Sequence, residues 1–231
     1  MTIKNHRGHR CAMNAPASIT ITPVRVADLL AEGERMPVNV HVIDHPDARV
    51  LVDTGMTELH PAVADLDPCL RPLSKQDFEL AGIDIVVNTH LHFDHCGGNH
   101  LFAGRPTYVQ RRELDDARSE DDYTTREWVD APGVRDMPID GELELVRGLR
   151  LVPAPGHTRG MQVVVVETRG RPVVVGGDSG LVRRARRAAH RRPAAGARAR
   201  PRAGLARARG RAVATPDRLR HPAGALWASR G

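Results

Sequence analysis

The chain has 231 residues, enough for one domain with a sizeable core, and its aromatic content of 3% means that this core must be aliphatic. The net charge of +6 combines two unlike parts, because residues 181–231 hold 15 arginines and one acid and carry +14, whereas residues 1–180 carry −8. Three widely separated cysteines argue against a disulfide framework or a cysteine zinc site and favour a reducing, cytoplasmic compartment. No apolar run is long enough for a membrane span, and no apolar stretch of the kind found in signal peptides follows the N-terminus.

The beginning of the chain predicts three strands after a tail. Residues 1–18 are polar and unpatterned, so we expect them to be disordered. Ile19–Val26 alternates between apolar and polar residues and predicts the first strand. The apolar runs Val38–Ile43 and Arg49–Val52 flank a segment of turn composition, Asp44–Asp47, and predict a hairpin.

A short helix and a buried strand are predicted next. Ser74–Ala81 has the composition of a helix, with Ser74 suited to cap its start and Gly82 to end it. The apolar residues of Ile83–Asn88 predict a strand that leads directly into a group of histidines.

The stretch Thr89–Asn99 contains the spacing His-x-His-x-Asp-His. His90 and His92 are two residues apart, and on an extended backbone their rings share a face, so they can bind one metal ion. Asp94 and His95 come where the strand gives way to a turn, where both can face inward and suit a second metal ion. Imidazole and carboxylate ligands fit zinc, manganese or iron.

The residues that follow the motif are assigned packing roles. Gly97 and Gly98 permit a tight backbone beneath the cluster. Cys96 is interpreted as a small packed residue, and His100 as structural or facing solvent.

The acidic segment from residue 119 to residue 135 shows no clear period. It follows a predicted strand, Thr107–Gln110, and a charged helix, Arg111–Arg118. Long irregular segments in compact domains are often functional, so Tyr123 and Trp128 are candidates for the apolar walls of a substrate pocket. The alternative is that both side chains only pack the segment onto the body.

The last patterned region predicts four strands. Leu143–Val146 and Leu149–Val152 form a hairpin, and Gln162–Glu167 and Pro172–Gly176 are two further strands. His157 lies between these pairs in a turn rich in proline and glycine. This order predicts an α/β domain over residues 19–180, with two mixed sheets packed face to face and helices outside.

The histidine motif closely resembles the zinc-binding signature of the metallo-β-lactamase-fold hydrolases. Further matches follow in the family's order: Leu51–Gly55 resembles an early strand and turn, Pro155–Thr158 the loop of the next histidine ligand, and Gly176–Asp178 the strand end with a bridging aspartate. The resemblance covers roughly residues 20–180. It implies a four-layer αββα sandwich with the metals at one edge, between the sheets.

The resemblance also implies two zinc ions and a reaction. The implied ligands are His90, His92 and His157 for one ion, and Asp94, His95 and the bridging Asp178 for the other. The last histidine is not identified, so a single zinc ion is the alternative. A hydroxide between the metals would attack an ester or lactone carbonyl, with Asp94 carrying a proton to the leaving group. Asp53 is either a turn carboxylate or a group beneath the site that orients the ligands.

The substrate class is implied by the subgroup of the family that the motif resembles most. The motif and Pro37-Val38 are most similar to the N-acyl homoserine lactonase group, but Leu181 stands where that group usually has a tyrosine. A sister group of lactonases or esterases and a glyoxalase-II-like thioesterase are therefore alternatives. A nuclease is disfavoured because the acidic body would repel a polyanion. A homodimer is compatible with this interpretation.

Residues 181–231 differ from the rest in composition, since 39 of these 51 residues are Arg, Ala, Gly or Pro. Codons made only of G and C encode these four residues alone, so we interpret the segment as a frameshift product, disordered or out of frame. It offers only His190 and His221 as a last ligand. The alternatives are a basic tail for nucleic acid or anionic membrane, and an inactive family member without its final third. A frameshift would leave a sheet edge uncovered and predicts aggregation.

Overall fold

The computed structural model describes residues 19–31 and 33–177. The expectations for residues 1–18, for Asp178 and for residues 181–231, including Leu181, His190 and His221, lie outside the described residues. No helix in the described part of the chain is long and apolar enough to cross a membrane.

In the described part of the chain, the first sheet has seven strands. They are β1 (Thr20–Ala31), β2 (Glu34–His45), β3 (Ala48–Val52), β4 (Cys69–Leu70), β5 (Ile85–Val87), β6 (Pro106–Gln110) and β7 (Arg135–Ile139). Their order across the sheet is β4-β1-β2-β3-β5-β6-β7. β1, β2 and β3 pair antiparallel, whereas β3, β5, β6 and β7 run parallel. The strands predicted before and after the histidine motif are confirmed, and β1 is longer than expected.

The second sheet has four strands within residues 33–177. They are β8 (Leu143–Val146), β9 (Leu149–Pro153), β10 (Gln162–Val166) and β11 (Val173–Val175), in the order β11-β10-β9-β8. All four strands predicted here are confirmed. The expectation of a second mixed sheet is wrong for these strands, which pair antiparallel throughout. Each is joined to the next by a connection too short to cross the sheet, and parallel neighbours need a crossover of a dozen or more residues.

Among the described residues, three short helices connect the strands of the first sheet. They are α1 (Phe93–Cys96), α2 (Arg111–Ser119) and α3 (Arg126–Val129). The predicted helix at residues 111–118 is α2, and the histidine motif ends in α1. His100 lies in a 3₁₀ turn, Asn99–Phe102, and is exposed as expected.

The helix predicted at Ser74–Ala81 is wrong. Two separate 3₁₀ turns, Leu73–Lys75 and Leu80–Gly82, occupy this region instead. Phe78 and Leu80 both pack against the core beneath them. Side chains two residues apart on a helix point in different directions, so a helix here could not bury both.

The two sheets pack face to face through an aliphatic core. Alternation along β3 directs Val50 and Val52 toward the second sheet and Leu51 toward the opposite face. The second sheet contributes Leu149, Leu151, Val164, Val166 and Val175 to the shared core. The first sheet's other face is covered by residues of the 3₁₀ turns and helices, among them Leu73, Phe102 and Trp128. The described residues thus form one layer of helices and two sheets, which are three of the four layers of the predicted αββα sandwich.

The loop that follows α1 packs against the end of the hairpin. The Gly98 N–H group donates to the carbonyl oxygen of Gly55 at 2.9 Å. A Cβ atom at Gly98 would lie 2.5 Å from the carbonyl oxygen of Thr54, a contact that backbone atoms cannot relieve by rotation. This close approach agrees with the tight geometry predicted for Gly98, and it holds the histidine segment on the first sheet.

Gly98→Ala is therefore expected to lower the free energy of unfolding by about 1–3 kcal/mol, because the added methyl group must push the loop off the hairpin. Urea denaturation followed by circular dichroism measures this loss. Gly170→Ala is the control, since its Cβ would come no closer than 3.9 Å to Thr168 Oγ1. Equal stabilities of the two variants would contradict the packing described.

Candidate metal centre

The end of β5 presents two histidines on one side of the chain. His92 keeps extended backbone angles, with φ −66° and ψ 154°, immediately before α1 begins. The ring centroids of His90 and His92 lie 4.8 Å apart. The shared face predicted from their spacing is therefore present.

His157 joins this pair from the turn after β9. Its Nε2 atom lies 3.0 Å from Nδ1 of His92, and its ring centroid lies 4.9 Å from that of His90. One ligand atom from each of the three histidines falls within 4.8 Å of the other two. Zinc–nitrogen bonds of about 2.0–2.1 Å place tetrahedral ligand atoms about 3.4 Å apart, so small side-chain rotations suffice to close on one ion.

Asp94 and His95 lie beside the three histidines on the single turn of α1. Both are buried, with 6% and 3% of their surface exposed. The His95 ring centroid is 4.0 Å from that of His90, and His95 Nε2 is 3.3 Å from Asp94 Oδ2. Both side chains therefore face inward, as the turn predicted.

The structure thus brings together five of the six predicted ligands, while Asp178 lies outside the described residues. The chain after β11 does approach the cluster. A Cβ atom at Gly177 would lie 2.6 Å from Thr89 Oγ1 and 3.0 Å from His95 Cε1, so only glycine fits at this point.

Asp53 supports the cluster from the end of β3. Its backbone is in the left-handed region, with φ 62°, and its carboxylate is buried. Oδ1 accepts a hydrogen bond from the Thr89 N–H group and Oδ2 one from the Thr89 hydroxyl, each at 2.7 Å. Oδ2 also lies 2.9 Å from His95 Nδ1. A carboxylate only accepts, so this contact assigns the proton of His95 to Nδ1 and turns Nε2 toward the cluster.

The same logic assigns the tautomer of His90. The Thr89 hydroxyl gives its one proton to Asp53, so toward His90 Nδ1, 3.2 Å away, it can only accept. His90 then carries its proton on Nδ1 and presents the lone pair of Nε2.

The electrostatics of the cluster suit a cation. Burial, and then the neighbouring imidazoles of His95, His92 and His157, hold the pKa of His90 well below its ordinary value. His90 is therefore neutral at pH 7, the form that binds metal. Among the described residues, neither His90 Nε2 nor Asp94 Oδ1 has a hydrogen-bond partner, although both atoms are buried. Buried polar atoms without partners are costly, and a metal ion would satisfy both, so these residues fit the group that the motif predicts.

A second set of polar residues, which no sequence motif marks, anchors the loop. Asn88 Nδ2 donates to the His95 carbonyl oxygen at 3.2 Å, and Asn99 Nδ2 donates to Asn88 Oδ1 at 2.9 Å. Thr54 donates its hydroxyl to Asn99 Oδ1 at 2.8 Å. All three residues flank predicted strands or the motif, but only the folded chain shows that they meet.

The two aromatic residues of the acidic segment have different surroundings. The Tyr123 ring is half-buried and its centroid lies 5.3 Å from that of His92. Trp128 is 5% exposed, packs in the core over the first sheet and donates from Nε1 to Glu58 Oε1 at 3.3 Å. Tyr123 thus borders the centre, whereas Trp128 fits the packing alternative.

Cys96 is a packed residue, as expected. Its thiol is fully buried and donates to the Leu91 carbonyl oxygen at 3.4 Å. Burial raises the pKa of Cys96 to about 12. The thiol therefore stays protonated at neutral pH.

Comparison with known proteins agrees with this geometry. The family model of the metallo-beta-lactamase superfamily matches residues 33–220. An N-acyl homoserine lactonase of Bacillus sp is 30% identical over 185 residues, covering 72% of this chain and 70% of the relative. One from Bacillus cereus is 27% identical over 184 residues, with the same two coverages.

Solved structures give the same relationship. An N-acyl homoserine lactone hydrolase, solved with the product N-hexanoyl-L-homoserine at its catalytic metal centre, is 26% identical and aligns with a TM-score of 0.53. The alignment covers 66% of this chain and 71% of the hydrolase. With the buried histidine cluster and the two packed sheets, these matches show that the chain is a metallo-hydrolase of the metallo-beta-lactamase superfamily, similar to the N-acyl homoserine lactonases.

Proposed function

We propose that this chain is a zinc-dependent hydrolase that opens the ring of N-acyl homoserine lactones. The observation that carries the proposal is the meeting of buried His90 with the half-buried His92 and His157, beside the buried pair Asp94 and His95. The lactonases among its relatives, and the homoserine product bound in one solved neighbour, support a lactone as the substrate class.

The residues present fit two metal positions of unequal completeness. His90, His92 and His157 would hold one zinc ion, and their mutual approach is already close. Asp94 and His95 would contribute to a second, for which Asp178 is the proposed bridging ligand. Bound zinc would lower the pKa of a water molecule to about 7 and polarise the carbonyl oxygen of the substrate.

Asp94 is the residue proposed to move a proton. Its Oδ2 atom faces His95, whereas its buried Oδ1 atom has no hydrogen-bond partner among the described residues. A carboxylate oxygen in this position can take a proton released on attack at the carbonyl and return it to the departing alkoxide. His95, held through Nδ1 by Asp53, would present Nε2 to the same metal ion as Asp94.

The charge of the body favours a small substrate over a nucleic acid. Residues 1–180 carry −8, which would repel a polyanion, whereas a homoserine lactone has no charge to repel. Cys69 and Cys96 are free thiols, which supports a cytoplasmic site of action as part of the same proposal.

The metal assignment predicts that His157→Ala weakens zinc binding by more than about 100-fold, because losing a ligand should cost more than the 10–100-fold typical of supporting residues. Competition with a chromophoric chelator measures the dissociation constant. His100→Ala is the matched control, since His100 is exposed and outside the cluster. Equal affinities of the two variants would show that His157 is not a ligand.

The catalytic assignment predicts that Asp94→Asn lowers kcat for an N-acyl homoserine lactone by about 10²–10⁴-fold, since an amide cannot carry the proton. Mass spectrometry of the ring-opened acid follows the reaction, and metal content is measured on the same samples. A zinc-loaded wild-type chain that cleaves a glutathione thioester but leaves lactones intact would contradict the substrate proposed here and favour the thioesterase alternative.

A further inference from the structure

Glu113 is a buried carboxylate that the proposed reaction does not use. It lies in the first turn of α2, in a helix that the sequence marks only as charged. The residue is 0% exposed. Glutamate is almost never fully buried unless its oxygens are paired, so its partners indicate what it does.

Three hydrogen bonds satisfy this carboxylate. Oε1 accepts from the Leu91 N–H group at 2.8 Å and from the Tyr123 hydroxyl at 2.6 Å. Oε2 accepts from the Thr158 hydroxyl at 2.6 Å. No arginine or lysine of the described segments forms an ion pair with Glu113, so the three donors and the N-terminal end of α2 are what stabilise its charge there.

Each donor belongs to a segment that carries or touches a histidine of the centre. Leu91 stands between His90 and His92 in the chain. Thr158 directly follows His157. The Tyr123 ring lies against His92, with centroids 5.3 Å apart. One carboxylate therefore connects the three histidines that come together from two distant parts of the sequence.

The turn after His157 is also fitted closely to this residue. A Cβ atom at Gly160 would lie 2.2 Å from the backbone nitrogen of Glu113 and 2.6 Å from its Cβ atom. Only glycine allows the turn to approach α2 this closely. The contact fixes the distance between the His157 segment and the helix that carries Glu113.

We infer that Glu113 is a positioning residue that sets the relative placement of His90, His92 and His157 and thereby the affinity and geometry of the metal centre. This inference rests on the metal centre proposed above. The carboxylate accepts all three of its hydrogen bonds, and the backbone and hydroxyl donors hold it in a single orientation.

The chain's zinc and cobalt affinities, measured on purified full-length variants, test this inference. Glu113→Ala is expected to weaken zinc binding by about 10–100-fold and to alter the visible spectrum of the cobalt form, because the ligand rings lose their common support. Glu113→Gln keeps the shape and one acceptor oxygen, so its loss is expected to be smaller and its cobalt spectrum closer to wild type.

A cavity-forming control separates positioning from stability. Val40→Ala removes fully buried volume from the core on the other face of the first sheet. It should lower the free energy of unfolding of the metal-free chain and leave the zinc dissociation constant unchanged. A loss of zinc affinity in Val40→Ala that matches its loss of stability would overturn the positioning role.

Thr158→Val supplies a second test that does not depend on Glu113→Ala folding. Because Thr158 acts through Glu113, the double variant Glu113→Gln/Thr158→Val should lose less affinity than the two single losses combined. Full additivity, or a wild-type affinity and cobalt spectrum in the Glu113 variants, would overturn the inference while leaving the metal centre intact. A wild-type chain that binds neither zinc nor cobalt would overturn both.

Discussion

Packing polar imidazoles side by side in a protein interior is the constraint on which this structure depends. Burial lowers the pKa of His90 and removes water from its Nε2 atom, and the neighbouring rings add to the same effect. Such an arrangement costs free energy unless a hydrogen-bond donor or a metal ion satisfies the buried lone pairs. The aliphatic sheets supply stability that offsets this cost, and the proposed zinc ion would satisfy the lone pairs.

Two buried carboxylates support the segments that carry the cluster. Asp53, at the end of β3, bonds Thr89 and His95 and so sets the tautomers that face the centre. Glu113, on α2, accepts hydrogen bonds from Leu91, Tyr123 and Thr158. These donors adjoin the three histidines of the first metal position. Neither residue has to touch the metal, since Asp53 assigns the ligand nitrogens of His90 and His95 and Glu113 acts on the spacing of the rings.

Local sequence patterns predict the strands and the histidine motif. Alternation finds the strands, and the spacing of His90 and His92 predicts their shared face. Contacts between distant segments cannot be predicted from local patterns. In the sequence, Glu113 is one of several acids in a charged helix. The contact between the asparagines at positions 88 and 99 leaves no periodic pattern in the sequence. The helix expected at residues 74–81 fails because burial of Phe78 and Leu80 outweighs helix composition. The frameshift proposed after residue 180 stays a prediction, although the family match extends to residue 220.

Anomalous diffraction at the zinc edge, from crystals of the whole chain grown with zinc, tests most directly whether His90, His92 and His157 bind a zinc ion. The proposed zinc site predicts a peak in contact with Nε2 of His90 and with ring nitrogens of His92 and His157. A second, weaker peak beside Asp94 and His95 would extend it to two metals. Ordered, zinc-treated crystals without anomalous density between these three rings would contradict it.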